Sequence, residues 1–277
     1  MTLVKIRDTE LFYTEFGIKI PFLVMHGGLG FDHSYFRPFL DPLENIFKLI
    51  FYDHRGHGRS GRPPINTITY EQLADDANEL REKLGYNRVG IMGHSAGGYV
   101  ALEYAIRYPQ NISYLILLDT APAFDYLEEV MINVKNKNPP AEIIATLNAP
   151  VASSKEGFRD QFKILIPLYF YDFNSGIREM VYKMIDRVIM NHEMAALNDE
   201  LMPKFNVSSQ LSEILAPTLI LVGKDDFICP VSQAKRMNDN IPNSNLHVFK
   251  NCGHFPFIES SKEFLKVIHE WFKNVHH

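Results

Sequence analysis

Ser95 lies in Gly93-His94-Ser95-Ala96-Gly97, a G-x-S-x-G run that follows a short apolar stretch and precedes a helix-forming one. Serine is a weak nucleophile at its own pKa and needs a base to take its proton. Histidine is the side chain suited to that near neutrality, and a buried carboxylate fixes its tautomer. Reactive groups of these types recur where apolar runs end: Asp119, the adjacent pair Asp225 and Asp226, and His254. Serine, acid and histidine in that chain order form a nucleophile–acid–base series. His254 is the expected base, with Gly253 giving its loop room to turn. Asp226 is the favoured acid, because Gly223 to Pro230 reads as a turn into a helix opened by Pro230. Asp225 and Asp119 remain alternatives. Two backbone N–H groups must meet developing negative charge. Ala96 supplies one, and the second is expected from the loop His26-Gly27-Gly28-Leu29-Gly30, at Gly28 or alternatively Leu29. His26, His57 and His94 sit beside glycine loops and read as residues that hold those loops.

These groups need a scaffold that brings strand ends together. Continuous apolar runs at 20–25, 46–52, 89–92, 112–118 and 218–222 read as strands buried on both faces. Residues 3–16 read as a hairpin, and 246–249 as a further strand. Leu73, Ala77, Leu80 and Leu84 recur at helical spacing, with Thr69 as N-cap and Gly85 as terminator. Helices are also expected at 32–43, from Ala96 to about Tyr108, at 231–240 and at 260–275. The alternation gives an α/β fold: a mostly parallel twisted sheet with helices on both faces. Residues 123–211 break the rhythm, being rich in Met, Tyr and Phe at helical spacing. The expected organisation is a core of 1–122 and 212–277 interrupted by a helical cap insertion at 123–211, placed over the carboxyl ends of the strands.

Composition narrows the partners. A net charge of -5 with no basic run argues against nucleic acid. No apolar run is long enough to span a membrane, and the first residues hold no leader-length apolar core, so a cytoplasmic location is expected. Cys229 and Cys252 lack C-x-x-C spacing, so no metal site is expected. Both fall in strand-end loops, which leaves a contact between them open. No nucleotide-binding glycine pattern stands in a strand–helix context.

Taken together, His26 to Gly30, Asp53-His54-Arg55-Gly56-His57-Gly58-Arg59-Ser60, Gly93 to Gly98, Gly223 to Pro230 and Gly253-His254-Phe255-Pro256 resemble the successive signatures of the α/β-hydrolase fold superfamily. The resemblance covers everything outside 123–211. It implies a serine hydrolase without a cofactor, acting on a small-molecule ester or lactone or on a short peptide. Two branches are similar. Asp53 to Ser60 and Gly93 to Gly98 are typical of carboxylesterase- and lactonase-like members. The His-Gly-Gly-x-Gly loop resembles that of proline iminopeptidases, which usually carry an acid in the cap beside an Asn-His pair. Asn191-His192 is present here, with Met190 in place of the acid, and Ala96 stands where that branch usually has Trp or Tyr. Glu193, Asp199 and Glu200 are the cap acids available to hold an amine. The expected activity is hydrolysis of a largely apolar carboxylic ester through an acyl-enzyme on Ser95. The alternative is release of an N-terminal residue.

Overall fold

A computed structural model describes residues 2–276. Eight strands form one sheet in the order β1-β2-β4-β3-β5-β6-β7-β8. They are β1 (Thr2–Ile6), β2 (Thr9–Phe16), β3 (Ile20–Met25), β4 (Phe47–Tyr52), β5 (Val89–His94), β6 (Ile112–Leu118), β7 (Thr218–Gly223) and β8 (Ser244–Phe249). The β1–β2 and β2–β4 pairs are antiparallel, and every pair from β4 to β8 is parallel.

Successive side chains of a strand point to opposite faces. Here both faces are covered, so the parallel strands carry apolar residues continuously. Leu23, Met25, Ile91, Leu115 and Leu117 enter one core, together with helices α1 (Tyr70–Lys83), α2 (Ala96–Arg107) and α8 (Val231–Asn240). Phe22, Val24, Met92, Ile116 and Leu118 enter the other, where Phe264, Ile268 and Trp271 of α10 (Ser261–Val275) cover the sheet. Helix α1 begins as its sequence dictates. The Thr69 hydroxyl accepts from the Gln72 N–H at 3.2 Å. Gly85, with φ +79°, ends it.

Between β6 and β7 stand five helices: α3 (Leu127–Lys137), α4 (Ala141–Leu147), α5 (Lys155–Leu165), α6 (Ser175–Arg187) and α7 (His192–Leu201). Phe158, Phe162, Met184 and Ile185 of this segment join the second core. Its amphipathic helices therefore bury their apolar stripes on the body of the protein.

The helix expected at 32–43 does not form. Two short 3-10 turns, His33–Phe36 and Asp41–Asn45, take its place. Pro38 lacks an N–H, and the residue before a proline is driven to extended backbone; Arg37 has φ -101° and ψ 138°. Cys229 and Cys252 are both free and buried, so no disulfide links their loops. Among the described residues, no helix is long and apolar enough to cross a membrane.

Candidate active site

The carboxyl ends of β3, β5, β6, β7 and β8 deliver the reactive groups. Ser95 follows β5 directly, with φ 55° and ψ -124°, a left-handed backbone that a serine rarely adopts. The turn is feasible because its neighbours lack side chains. A Cβ on Gly97 would sit 2.5 Å from the His26 carbonyl oxygen, and one on Gly93 would sit 2.7 Å from the Ala101 methyl. The strand, the turn and α2 thus pack backbone to backbone.

Asp226, after β7, lies against His254, after β8. Its Oδ2 accepts from His254 Nδ1 at 2.7 Å, with both side chains buried. Its other oxygen accepts from the Ile228 and Cys229 N–H groups at 3.0 and 3.2 Å. The carboxylate is thereby held in one orientation, and His254 Nε2 is left as the ring's free basic nitrogen. Asp225 does not face His254. It makes no hydrogen bond to the imidazole and lines an outer groove of 610 Å³ that Lys137, Lys224 and Asp226 also line. Asp119 is fully buried and accepts the Gly223 N–H at 2.8 Å, bolting the end of β6 to that of β7. Burial, and then the charge of Asp226, push its carboxyl well above the usual range.

Ser95, His254, Gly28, Leu29 and Ala96 line one cavity of 310 Å³. Among the described residues, neither the Gly28 nor the Ala96 backbone N–H donates to a protein acceptor. Ala96 N–H is the first of α2, where helix geometry leaves donors unpaired. The segment between β6 and β7 adds Phe158, Phe162, Met184, Val188, Met190 and Asp199 to the cavity lining. Glu193 and Glu200 are exposed and do not line the cavity.

Further residues hold this arrangement, and of them Tyr35, Tyr169 and Glu259 gave no signal in the sequence. The Gly27 N–H donates to the Tyr35 hydroxyl at 2.6 Å, so Tyr35 O–H is directed to His94 Nδ1 at 2.8 Å. His94 Nε2–H then donates to the His254 carbonyl at 3.0 Å. One chain of three hydrogen bonds joins the glycine loop, the serine turn and the histidine loop. It needs His94 neutral, and burial, with His254 nearby, holds its pKa well below the usual imidazole range. The His254 N–H donates to the Tyr169 carbonyl at 2.7 Å. Glu259 accepts from Gly253 N–H at 2.7 Å and Tyr171 N–H at 2.8 Å, tying the histidine loop to the segment before α6. Asn191 makes a second tie: its N–H donates to the Gly30 carbonyl at 2.7 Å and its side-chain amide to the Gly56 carbonyl at 2.9 Å.

Beneath the glycine loop lie three buried imidazoles. The rings of His26 and His54 are 4.3 Å apart, and those of His26 and His57 are 5.2 Å apart. His26 Nε2 accepts the His54 N–H at 3.1 Å, as expected of a loop-holding histidine. Burial lowers His26 to about 4 and His57 to about 3 from the usual 6.5. The unfolded chain therefore takes up protons below about pH 6.5 that the folded chain refuses until about pH 4. Stability is full above 6.5 and falls as pH drops toward 4. At about 1.4 kcal/mol per pKa unit, His26 alone accounts for roughly 3 kcal/mol of that loss. The urea midpoint should decline steadily from pH 7 to 4.5, and less steeply in His57→Gln. A flat midpoint over that range would contradict neutral burial of these rings.

A family profile described as alpha/beta hydrolase fold matches residues 20–261. The sequence is 30% identical over 278 residues to the proline iminopeptidase PfmaB of Pestalotiopsis fici, covering 96% of each chain. In structure it is similar to a thermophilic esterase from Thermogutta terrifontis, with TM-score 0.72 and 27% identity over 97% of this chain and 95% of that one. It also shares its fold with an esterase from Exiguobacterium antarcticum, with TM-score 0.80 and 24% identity over 98% of this chain and 99% of that one.

Proposed function

The chain belongs to the alpha/beta hydrolase fold family, and from that premise we propose that it hydrolyses a carboxylic ester or lactone of a small, largely apolar substrate through an acyl-enzyme on Ser95. The observation that carries the proposal is the meeting of Ser95, the Asp226-bound His254 and the Gly28–Ala96 pair on one cavity that phenylalanine, methionine and valine side chains also line. In this reading residues 123–211 are a cap that selects substrate over a core of 1–122 and 212–277.

His254 Nε2 takes the proton of Ser95 Oγ as the oxygen attacks the carbonyl carbon. Asp226 stabilises the imidazolium that forms. The carbonyl oxygen becomes an oxyanion, met by the N–H groups of Ala96 and Gly28. Collapse breaks the ester bond, and the alcohol leaves with the proton from His254. Water, activated by the same imidazole, repeats the steps and frees the acid.

A second reading is kept because Asp199, an exposed residue, lines the same cavity, its carboxyl raised by partial desolvation, where it would face a substrate amine. That reading is release of an N-terminal residue, the activity named for the Pestalotiopsis relative. Met190, buried and lining the cavity, puts an apolar wall beside Asn191 and favours the ester. A panel of p-nitrophenyl acyl esters, lactones and prolyl aminoacyl amides decides between them. Ester or lactone turnover well above amide turnover is expected, and preferred prolyl-amide turnover would reverse the assignment.

The choice of acid has its own test. Asp226→Asn should lower kcat by about 10⁴-fold, because the amide cannot hold the required tautomer. Asp225→Asn should stay within about threefold of the unaltered chain, as expected of a charge outside the reacting group. If Asp225→Asn loses activity and Asp226→Asn keeps it, the roles are reversed.

A further inference from the structure

Among the described residues, one group of three side chains offers the nitrogen, sulfur and oxygen ligands that zinc takes. Donor atoms of Asp226, Cys229 and His254 all lie within 4.8 Å of one another, and all three residues are buried. The acid and base belong to the hydrolytic site, but nothing in ester hydrolysis calls for the thiol. Cys229 stands three residues after Asp226 in the same loop, and its N–H already donates to that carboxylate at 3.2 Å. Cys229 and His254 both line the cavity that receives substrate, so an ion has a route in.

We propose that Asp226, Cys229 and His254 form an inhibitory zinc site, in which Zn²⁺ replaces the proton shared by the acid and the base. Thiolate, imidazole and carboxylate are donors zinc takes, with water its common fourth ligand. Zn²⁺ bonds to Cys229 Sγ, His254 Nδ1 and Asp226 Oδ2. The thiol proton is lost to water. The imidazole proton moves from Nδ1 to Nε2, so the ring keeps its single proton. The consequence is specific: with a proton on Nε2, His254 has no lone pair for Ser95. Zinc stops the first step without filling the acyl pocket.

The test uses the full chain in its Ser95→Ala form, with Zn²⁺ itself as the probe and a chromogenic chelator as competitor. Binding is read without turnover, so this inference can fail while the ester reading stands, and the reverse. One tight ion per chain is expected, weakened about 100-fold or more in Cys229→Ala. In the unaltered chain the same ion should lower kcat reversibly, with a chelator restoring it. If Cys229→Ala does not fold, Cd²⁺ on the unaltered chain reads the same bond by its sulfur-to-metal ultraviolet band, which should persist in Cys252→Ala. Undiminished zinc affinity in Cys229→Ala, no tight ion at all, or a cadmium band that disappears with Cys252 would each overturn the site.

Discussion

Ser95→Ala is expected to lower hydrolysis of the preferred ester by about 10⁴- to 10⁶-fold, the range seen when a nucleophile acting in concert with its base is removed. The loss falls on kcat, because the cavity that binds substrate is unchanged. Thermal stability should hardly move. The left-handed backbone at Ser95 is imposed by the close contacts of Gly93 and Gly97, and alanine inherits that strain rather than relieving it. A fluorophosphonate should label the unaltered chain once and leave the variant untouched. Retention of more than about a tenth of the activity would remove Ser95 from the mechanism, since such a small change lies within ordinary surface effects.

Gly223→Ala should damage both the fold and the chemistry. Gly223 ends β7, and a Cβ there would strike the Gly253 carbonyl group and the Cys252 carbonyl oxygen, the latter at 2.5 Å. These are backbone atoms of the loop that carries His254, and they cannot step aside as a flexible side chain would. The Gly223 N–H also binds Asp119, so the strand end is held on both sides. Overpacking against fixed backbone costs on the order of 3 kcal/mol or more. For a chain of this size that lowers the melting midpoint by roughly 6 °C or more. Displacement of His254 by about 1 Å should cost about 10²-fold in kcat. Gly176→Ala is the matched control: its nearest neighbour, Asn174 Oδ1, would be 3.5 Å from the new methyl, an ordinary contact. Equal melting of the two variants would show that the β7 end yields more easily than its packing implies.

The strands were legible because burial on both faces leaves runs such as Leu115 to Leu118 with no polar interruption. The placement of Asp226 against His254 was legible for a local reason: the turn from Gly223 to Pro230 puts one of two adjacent acids inward. The stretch at 32–43 misled because its apolar spacing is helical while Pro38 and Pro42 forbid the helix. Tyr35, Glu259 and Asn191 were not legible. Tyr35 and His94 are 59 residues apart, Tyr171 and Glu259 are 88 apart, and a lone tyrosine or glutamate carries no mark of a distant partner. Asn191 attracted notice as half of an Asn-His pair that resembles an amine-binding signature. In the fold its amide is spent on the Gly56 carbonyl. The sequence leaves a contact between Cys229 and Cys252 open, whereas in the fold the neighbours of Cys229 are Asp226 and His254.

The bond from His254 N–H to the Tyr169 carbonyl, with Glu259 clasping Gly253 and Tyr171, bears on how this protein can diversify. A cap is usually pictured as an exchangeable part, free to drift toward new substrates while the core keeps the reaction. Here the stretch through Tyr169 to Tyr171 is common property, since it holds the His254 loop while Tyr169 also lines the cavity. Phe158, Phe162 and Met184 also line the cavity but make no hydrogen bond to the histidine loop, so substitutions there change the cavity wall without touching that clasp. A graft from a relative that cuts through 169–171, or that replaces Asn191, carries off part of the catalytic frame along with the old specificity. New substrates are reached by repainting the walls, and the doorpost has to stay.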